Sequence, residues 1–270
     1  MPSSVPLDRS SDHRDYQRVP RVLTAMARDA QHGESAAPHS HERAQLLYAT
    51  EGLQRVQTNF GVWILPPRRA LLIPPDVVHH WTALSKVTMR TIYIEARTAA
   101  AFGDTCRVIE VSPLLRELIL ALLNEPVEYP LPGRGEHLAM LILSELAAAE
   151  TVPIAIPWPR DRRLLAVCSA IMADPGSTRN IAQWADTAGA SARTLIRLFP
   201  KETGLHYRQW VQQVHLAEAF GRLAQGQSVG EIAAALGYAS PSAFSAMFRR
   251  ILGKTPQHYL TEWRAPLQPE

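Results

Sequence analysis

Residues 228–259 read SVGEIAAALGYASPSAFSAMFRRILGKTPQHY, and their order of caps, apolar positions and glycines sets the reading of the chain's C-terminal third. Ser228 and Glu231 have the spacing of a capping box, in which each side chain satisfies an orphan backbone N–H at a helix start. Ile232, Ala233 and Leu236 follow on one face, and Gly237 ends the segment in a position that favours a left-handed residue. Ser240-Pro241 then starts a second helix, with a cap followed by a first-position proline. Phe244, Met247 and Phe248 fall on its inner side, whereas Ser242, Ser245, Arg249 and Arg250 fall outside. Helix, short glycine turn and helix make a helix-turn-helix unit over about 228–250.

The same organisation occurs about fifty residues earlier. Asn180 and Gln183 predict a capping box, and Ile181, Trp184, Ala185 and Ala188 form an apolar stripe. Gly189 breaks the helix, and Ser191 caps a second one that buries Leu195, Leu198 and Phe199. Arg193, Thr194 and Arg197 lie elsewhere on its surface. This unit covers about 180–200. Between the two units, His206 to about Ala224 reads as one helix, roughly 28 Å long at 1.5 Å per residue. Successive major-groove faces of a duplex lie about 34 Å apart, so a rigid helix of that length suits two recognition helices in adjacent grooves.

The stretch from about Asp161 to Arg264 resembles the AraC/XylS family of bacterial transcription regulators. The resemblance is carried by Ile181-Ala182, Gly189, Ser191, Leu195, Arg197-Leu198-Phe199 and Gly204 in the first unit. In the second it is carried by Ile232-Ala233, Leu236-Gly237-Tyr238, Ser242, Phe244, Phe248-Arg249, Gly253, Pro256 and Tyr259. It implies a seven-helix DNA-binding domain whose recognition helices begin at Ser191 and Ser240, with double-stranded operator DNA as partner and RNA polymerase as a second partner if the protein activates. Its candidate DNA contacts are Ser191, Arg193, Thr194, Arg197, Ser240, Ser242, Ser245, Arg249 and Arg250. Arg193 and Arg197 are the candidates for base edges, because a guanidinium pairs bidentately with guanine. Two departures remove basic contacts that the family often has: Ala246 in the second recognition helix and Pro200 after the first. The second unit is therefore expected to supply phosphate and shape contacts more than base readout.

The N-terminal half has a different pattern. Short apolar or alternating runs at Gln45–Ala49, Val62–Leu65, Ala70–Ile73 and Thr91–Ile94 are punctuated by Gly52, Asn59–Gly61, Pro66–Pro67 and Pro74–Asp76, as in a small β-barrel or sandwich. Gly33, His39, His41, Gln45 and Gly52 resemble the first motif of the cupin superfamily, and Pro74 to His79 resembles the second. That resemblance implies a barrel in which His39, His41, Gln45 and His79 occupy the metal-ligand positions. Three imidazoles suit a divalent transition metal, although Gln45 stands where metal-binding cupins have an anionic Glu. His80 falls on the opposite face of its strand. Trp63, Tyr48, Arg90 and Tyr93 are candidates for a small-molecule effector pocket.

The expected fold is therefore α+β in two domains: a mobile tail at 1–20, a cupin-like sensor barrel at 21–110, a helix pair at 111–150, a linker at 151–160 and the DNA-binding domain at 161–264. Ser112-Pro113 starts the first helix of the pair. The second, from about Glu136, places Leu138, Leu141, Ile142 and Glu145 on one side. Such a pair either covers the barrel or pairs two subunits as a homodimer. Residues 151–160, TVPIAIPWPR, hold three prolines, which block a helix and a central strand. The layout is similar to the NimR-type branch of the family, whose regulators act on exporter genes.

Composition is consistent with this division. Residues 160–270 hold 13 Lys/Arg against 8 Asp/Glu, whereas residues 1–159 hold 15 against 17, so the basic excess lies where a polyanion would bind. Two cysteines, Cys106 and Cys168, exclude a disulfide scaffold and point to reducing cytoplasm. The N-terminus lacks the apolar core of a signal peptide, and no apolar run is long enough for a membrane span. No serine-histidine-aspartate spacing, phosphate loop or nucleotide fingerprint is present, so no catalytic residue is assigned. The rival reading is a metal-dependent cupin enzyme, a dioxygenase or isomerase, with an appended DNA-binding domain. It requires a complete ligand set, which Gln45 disfavours.

Overall fold

The computed structural model describes residues 9–264, with side chains described as far as Thr261. The chain divides into two compact units. One comprises the described residues up to Thr58 together with Leu65–Val152, and the other comprises Asn59–Ile64 together with the chain from Pro153 onward.

The first unit is β-rich. Its strands are β1 (Leu23–Ala30), β2 (Ser35–His39), β3 (Ala44–Glu51), β4 (Gln54–Thr58), β6 (Arg69–Ile73), β7 (His79–Ala83), β8 (Val87–Ile94), β9 (Arg107–Glu110) and β10 (Thr151–Val152), while β5 (Gly61–Leu65) lies almost wholly in the other unit. One antiparallel sheet runs β1-β8-β3-β6-β9-β10, and a second contains β4-β7-β2. Side chains alternate across a strand, and here each face has its own task. Leu23 and Ala25 of β1, Ala44, Leu46 and Tyr48 of β3, Ala70 and Leu72 of β6, and Ile92 and Ile94 of β8 form one apolar layer. The intervening residues face the barrel interior.

That layer is covered by helices. After the short α1 (Ala96–Ala99), α2 (Pro113–Leu123) and α3 (Arg134–Ala148) contribute Leu115, Leu118, Ile119, Leu122, Leu138, Ala139, Ile142 and Leu146 to the same core. Ser112 caps α2 by accepting from the Leu115 N–H at 3.0 Å. The pair therefore covers the barrel. Leu141, expected inside, is 51 % exposed, because the buried stripe of α3 runs through 138, 142 and 146 in steps of four. Glu145, expected on the inner side, sits at the margin, where it accepts the Ser112 hydroxyl at 2.7 Å.

The expectation of a mobile tail over 1–20 fails for its described part, and residues 1–8 lie outside the described residues. Asp12 caps a short 3-10 turn, His13–Tyr16. Tyr16 is 1 % exposed and stacks on Tyr93 with centroids 5.9 Å apart. The Arg43 guanidinium donates to the carbonyls of Gln17 at 2.8 Å, Val19 at 2.5 Å and Arg21 at 2.9 Å, and Arg9 donates to the carbonyls of Ala25 and Glu125. Polar composition disguised two apolar anchors, Tyr16 and Val19, and a buried guanidinium that uses carbonyls as its partners.

The linker expected at 151–160 is also structured. Thr151–Val152 pairs with β9 as β10, and β11 (Ile156–Pro157) pairs with β5. Two-residue strands tolerate proline because few ladder bonds are required of them. Ile154 and Ile156 are buried.

The second unit is helical: α4 (Arg162–Ala173), α5 (Ile181–Ala188), α6 (Ala192–Thr203), α7 (Tyr207–Ala224), α8 (Val229–Ala235), α9 (Pro241–Leu252) and α10 (Pro256–Arg264). Its first core joins Val62 and Ile156 to Leu164, Val167, Ile171, Trp184, Leu195, Leu198, Phe199, Trp210 and Val214. Trp210 Nε1 donates to the Pro157 carbonyl at 2.9 Å. A second core is aromatic, with Phe220, Phe248 and Tyr259 in mutual contact and Phe244 against Phe248. Among the described residues no helix is long and apolar enough to cross a membrane.

Candidate DNA-binding surface and histidine pocket

Each helix-turn-helix starts where the sequence places its caps. Asn180 Oδ1 accepts from the N–H groups of Ala182 and Gln183 at 3.0 and 3.1 Å, and Gln183 Oε1 accepts from the Asn180 N–H at 2.8 Å. Gly189 turns the chain with φ 57°, and Ser191 Oγ accepts from the Thr194 N–H at 3.2 Å. In the second unit Ser228 and Glu231 cap each other, Gly237 has φ 72°, and Ser240 Oγ accepts from the Ala243 N–H at 3.1 Å. The helix α7 between the units has 18 residues, about 27 Å of axial rise.

On α6, Ser191, Arg193 and Arg197 are exposed and Thr194 is half-buried. On α9, Ser242, Arg249 and Arg250 are exposed, while Ser240 and Ser245 are half-buried. Ser191 and Ser240 act as caps, and Ser191 Oγ also lies 3.0 Å from Thr194 Oγ1, so these hydroxyls have structural partners within the chain. Sequence reasoning passed over Ile196, which is 54 % exposed on α6 between the two arginines, where its methyl groups can meet a thymine methyl. The helix α6 continues through Pro200 to Thr203. Its register is held by Leu198 and Phe199 in the core.

The barrel interior forms a cavity of about 320 Å³ in the first unit. The period of two along each strand aims Met26 and Arg28 of β1, Gln45 and Leu47 of β3, His79 and Trp81 of β7, and Met89 and Tyr93 of β8 into it. His39, at the end of β2, and His13 also line it. Trp81 Nε1 donates to Gln54 Oε1 at 2.6 Å, and the Arg28 guanidinium lies 5.7 Å from the centre of the Trp81 ring and 3.9 Å from Glu34. Of the four pocket candidates, Tyr93 alone lines the cavity. Tyr48 faces the layer under the helices, Trp63 belongs to the Asn59–Ile64 segment of the other unit, and Arg90 pairs with Asp29 at 3.1 Å.

His39, His41 and His79 converge, with one ligand nitrogen of each within 4.8 Å of the others. His41 lies just beyond β2, not on it. His39 Nδ1 is 2.7 Å from the Ala37 carbonyl and His79 Nδ1 is 2.9 Å from the Val77 carbonyl. A carbonyl only accepts, so both rings donate from Nδ1 and leave Nε2 as the ligand atom, the orientation a metal requires. His41 is 5 % exposed and Gln45 4 % exposed, and the Gln45 side chain is the polar group beside the His41 ring, without a hydrogen bond of good geometry between them. Buried polar atoms without well-made hydrogen bonds cost free energy, and here they lie beside each other in one site. Burial, and then the neighbouring imidazoles, pushes His41 down to about 3. Burial pushes His79 down to about 4. These rings are therefore neutral at physiological pH, the state that coordinates. The residues fit the donor set of a borderline-soft divalent ion, apart from the carboxylate that Gln45 replaces.

Comparison with known proteins follows this division. A family model described as an AraC-like ligand binding domain matches residues 24–147, and one described as a helix-turn-helix domain matches residues 184–262. The chain is 32 % identical over 222 residues to the HTH-type transcriptional regulator NimR of Escherichia coli K12, covering 82 % of this chain and 81 % of that protein. It is 32 % identical over 105 residues to the HTH-type transcriptional regulator RipA of Corynebacterium glutamicum, covering 39 % of this chain and 32 % of that one. The crystal structure of ToxT from Vibrio cholerae O395 aligns over 91 % of this chain and 99 % of its own, with 12 % identity and a TM-score of 0.40. The match to NimR across four-fifths of both chains, with a ligand-binding model on the barrel and a helix-turn-helix model on the helical repeats, shows that the chain belongs to the AraC/XylS family of transcriptional regulators.

Proposed function

We propose that the protein is an operator-specific regulator whose barrel senses a small molecule or a divalent transition metal and passes that state to its grip on DNA. The observation that carries this reading is the pairing of two capped helix-turn-helix units, with Arg193, Arg197, Arg249 and Arg250 outward, with a cavity lined by His13, His39 and His79 beside the buried His41. Base edges are read chiefly by Arg193 and Arg197. The α9 groups Ser242, Ser245, Arg249 and Arg250 contact phosphates. His39, His41 and His79 would hold the metal, with Gln45 beside them. A metal held there would supply a Lewis-acid centre.

The protein works in the cytoplasm on nearby genes such as an exporter gene, and it contacts RNA polymerase where it activates. Leu114, Met140 and Leu141, exposed on α2 and α3, suit pairing with a second copy. A purely regulatory role is favoured over a cupin enzyme because Gln45 removes the anionic ligand of the metal-binding pattern. A coupling of about 1–3 kcal/mol between sensor and DNA suffices for such control.

The test is fluorescence anisotropy on duplexes from upstream of the gene, against a scrambled duplex, across salt concentrations and with or without a chelator. Preference for the upstream duplex, changed by the chelator or by an added effector, supports the reading. Equal, weak and salt-sensitive binding to both duplexes under every condition overturns it.

A further inference from the structure

A fourth imidazole packs against the three-histidine cluster, outside the set whose ligand nitrogens all lie within 4.8 Å of one another. His13, on the 3-10 turn of the N-terminal segment, has its ring centroid 4.6 Å from that of His41 and 4.8 Å from that of His39. The rings of the three-histidine cluster are 4.9 Å (His39–His41), 4.5 Å (His39–His79) and 5.0 Å (His41–His79) apart. A metal–nitrogen bond of about 2.0–2.1 Å places an imidazole centroid about 3.2 Å from the ion. Neighbouring centroids are then about 5.2 Å apart at tetrahedral corners and about 4.5 Å apart at adjacent square corners. The separations among the three cluster rings and the two from His13 fall between these limits, while His13 reaches a shared ion only by turning its ring toward the other three nitrogens. His13 Nδ1 is buried and has no hydrogen-bond partner.

We propose that His13 is a ligand of the same metal site, completing a four-imidazole set with His39, His41 and His79 for one divalent transition ion per chain. The proposal rests on the metal-sensing reading of the barrel. It explains how the site dispenses with the carboxylate that Gln45 replaces, since a fourth nitrogen fills the vacated coordination position. It also explains why this part of the N-terminal segment is built as it is. Asp12 Oδ1 accepts from the Arg14 N–H at 2.9 Å, and Tyr16 anchors the turn from below, donating its hydroxyl to the Ser10 carbonyl at 2.6 Å. These contacts hold the turn that carries His13 beside the cluster. Four neutral ligands leave the ion's charge uncompensated. The preferred ions are therefore those at the imidazole-loving end of the series, copper, nickel and zinc, over magnesium or calcium.

The test uses the full chain and two metals. Zinc affinity is measured by competition with a chromophoric chelator for the wild type, for His13→Ala, and for His137→Ala as a control at a histidine of α3, outside the barrel cluster. Copper(II) loaded into the wild type reports its nitrogen ligands directly by electron paramagnetic resonance, without any substitution. The expected result is one zinc per chain, a loss of at least about tenfold for His13→Ala, no change for His137→Ala, and a four-nitrogen copper signal that His13→Ala reduces to three. Unchanged zinc affinity and an unchanged copper spectrum in His13→Ala overturn the role of His13 while leaving a three-histidine site in place. Failure of the wild type to bind either metal overturns both, and operator binding by anisotropy then stands or falls separately.

Discussion

His215 Nδ1, midway along α7, lies 2.9 Å from the hydroxyl of Tyr238, in the turn of the second helix-turn-helix, while its Nε2 lies 3.0 Å from the Pro175 carbonyl. The carbonyl only accepts, so Nε2 carries the hydrogen, Nδ1 is the acceptor and Tyr238 donates. One neutral ring thus ties the connecting helix to the turn that presents α9 and to the chain before α5. Tyr238→Phe leaves Nδ1 of a half-buried ring without its donor. The expected cost is about 1–2 kcal/mol, read as a lower midpoint in denaturant, with weaker operator binding. An unchanged midpoint would mean that the hydroxyl contributes nothing.

The two recognition helices are expected to fail in different ways. Arg193→Ala or Arg197→Ala costs about 1–3 kcal/mol at the operator and relaxes discrimination at particular base pairs. Arg249→Ala or Arg250→Ala weakens specific and scrambled duplexes alike and lowers the salt slope by about one for each phosphate left without its guanidinium. Anisotropy titrations over a salt series separate the two, and uniform loss from all four variants would show that α6 reads no bases.

Chelator-treated protein is expected to lose stability in mild acid. An imidazole in the unfolded chain titrates near pH 6.5, whereas His41 is held down to about 3 and His79 to about 4 by burial. Between about pH 6.5 and 4 the unfolded chain binds protons that the folded one excludes, so stability present above that window is lost as the pH falls through it. The melting temperature should drop by several degrees from pH 7 to pH 5, and His41→Gln should flatten the profile. A flat profile in the wild type would contradict buried, neutral rings.

Gly135, in the first turn of α3, tests packing against propensity. A Cβ there would sit 2.4 Å from Tyr129 Cγ and 2.5 Å from Tyr129 Cβ. Helix propensity alone predicts that Gly135→Ala stabilises by up to about 1 kcal/mol. The overlap predicts a loss of about 1–3 kcal/mol instead. Thermal melting of this one variant decides the sign.

The helical half was legible because its signals are local. Asn180 with Gln183, Ser228 with Glu231, Ser240-Pro241 and Gly189 each act within a few residues of their own helix. The strands were legible through period-two patterning, and His39, His41 and His79 through spacing that matches a known motif. The rest depends on distant partners. His13 lies in a polar stretch whose place is set by Tyr16 on Tyr93 and by Arg43 on three carbonyls, contacts that no window of sequence contains. Arg28 and Trp81 line the pocket only because β1 and β7 alternate in phase with the histidines. Tyr48 and Tyr93, both aromatic strand residues, were indistinguishable until the register of β3 against β8 placed them on opposite faces. Leu141 had the right composition for the core but sits one step off the buried stripe.

The placement of Asn59–Ile64 with the helical unit makes that unit discontinuous in sequence. Val62, far upstream of α4 in the chain, shares a core with Ile156, Leu164 and Trp210. A fragment cut at residue 153 would carry every recognition residue and still leave the face beneath Val62 bare. The DNA-binding unit is therefore not a portable cassette. Chimaeras that transplant it onto another sensor need a graft for this short strand, and operator binding measured on the bare fragment describes a molecule whose core has been opened.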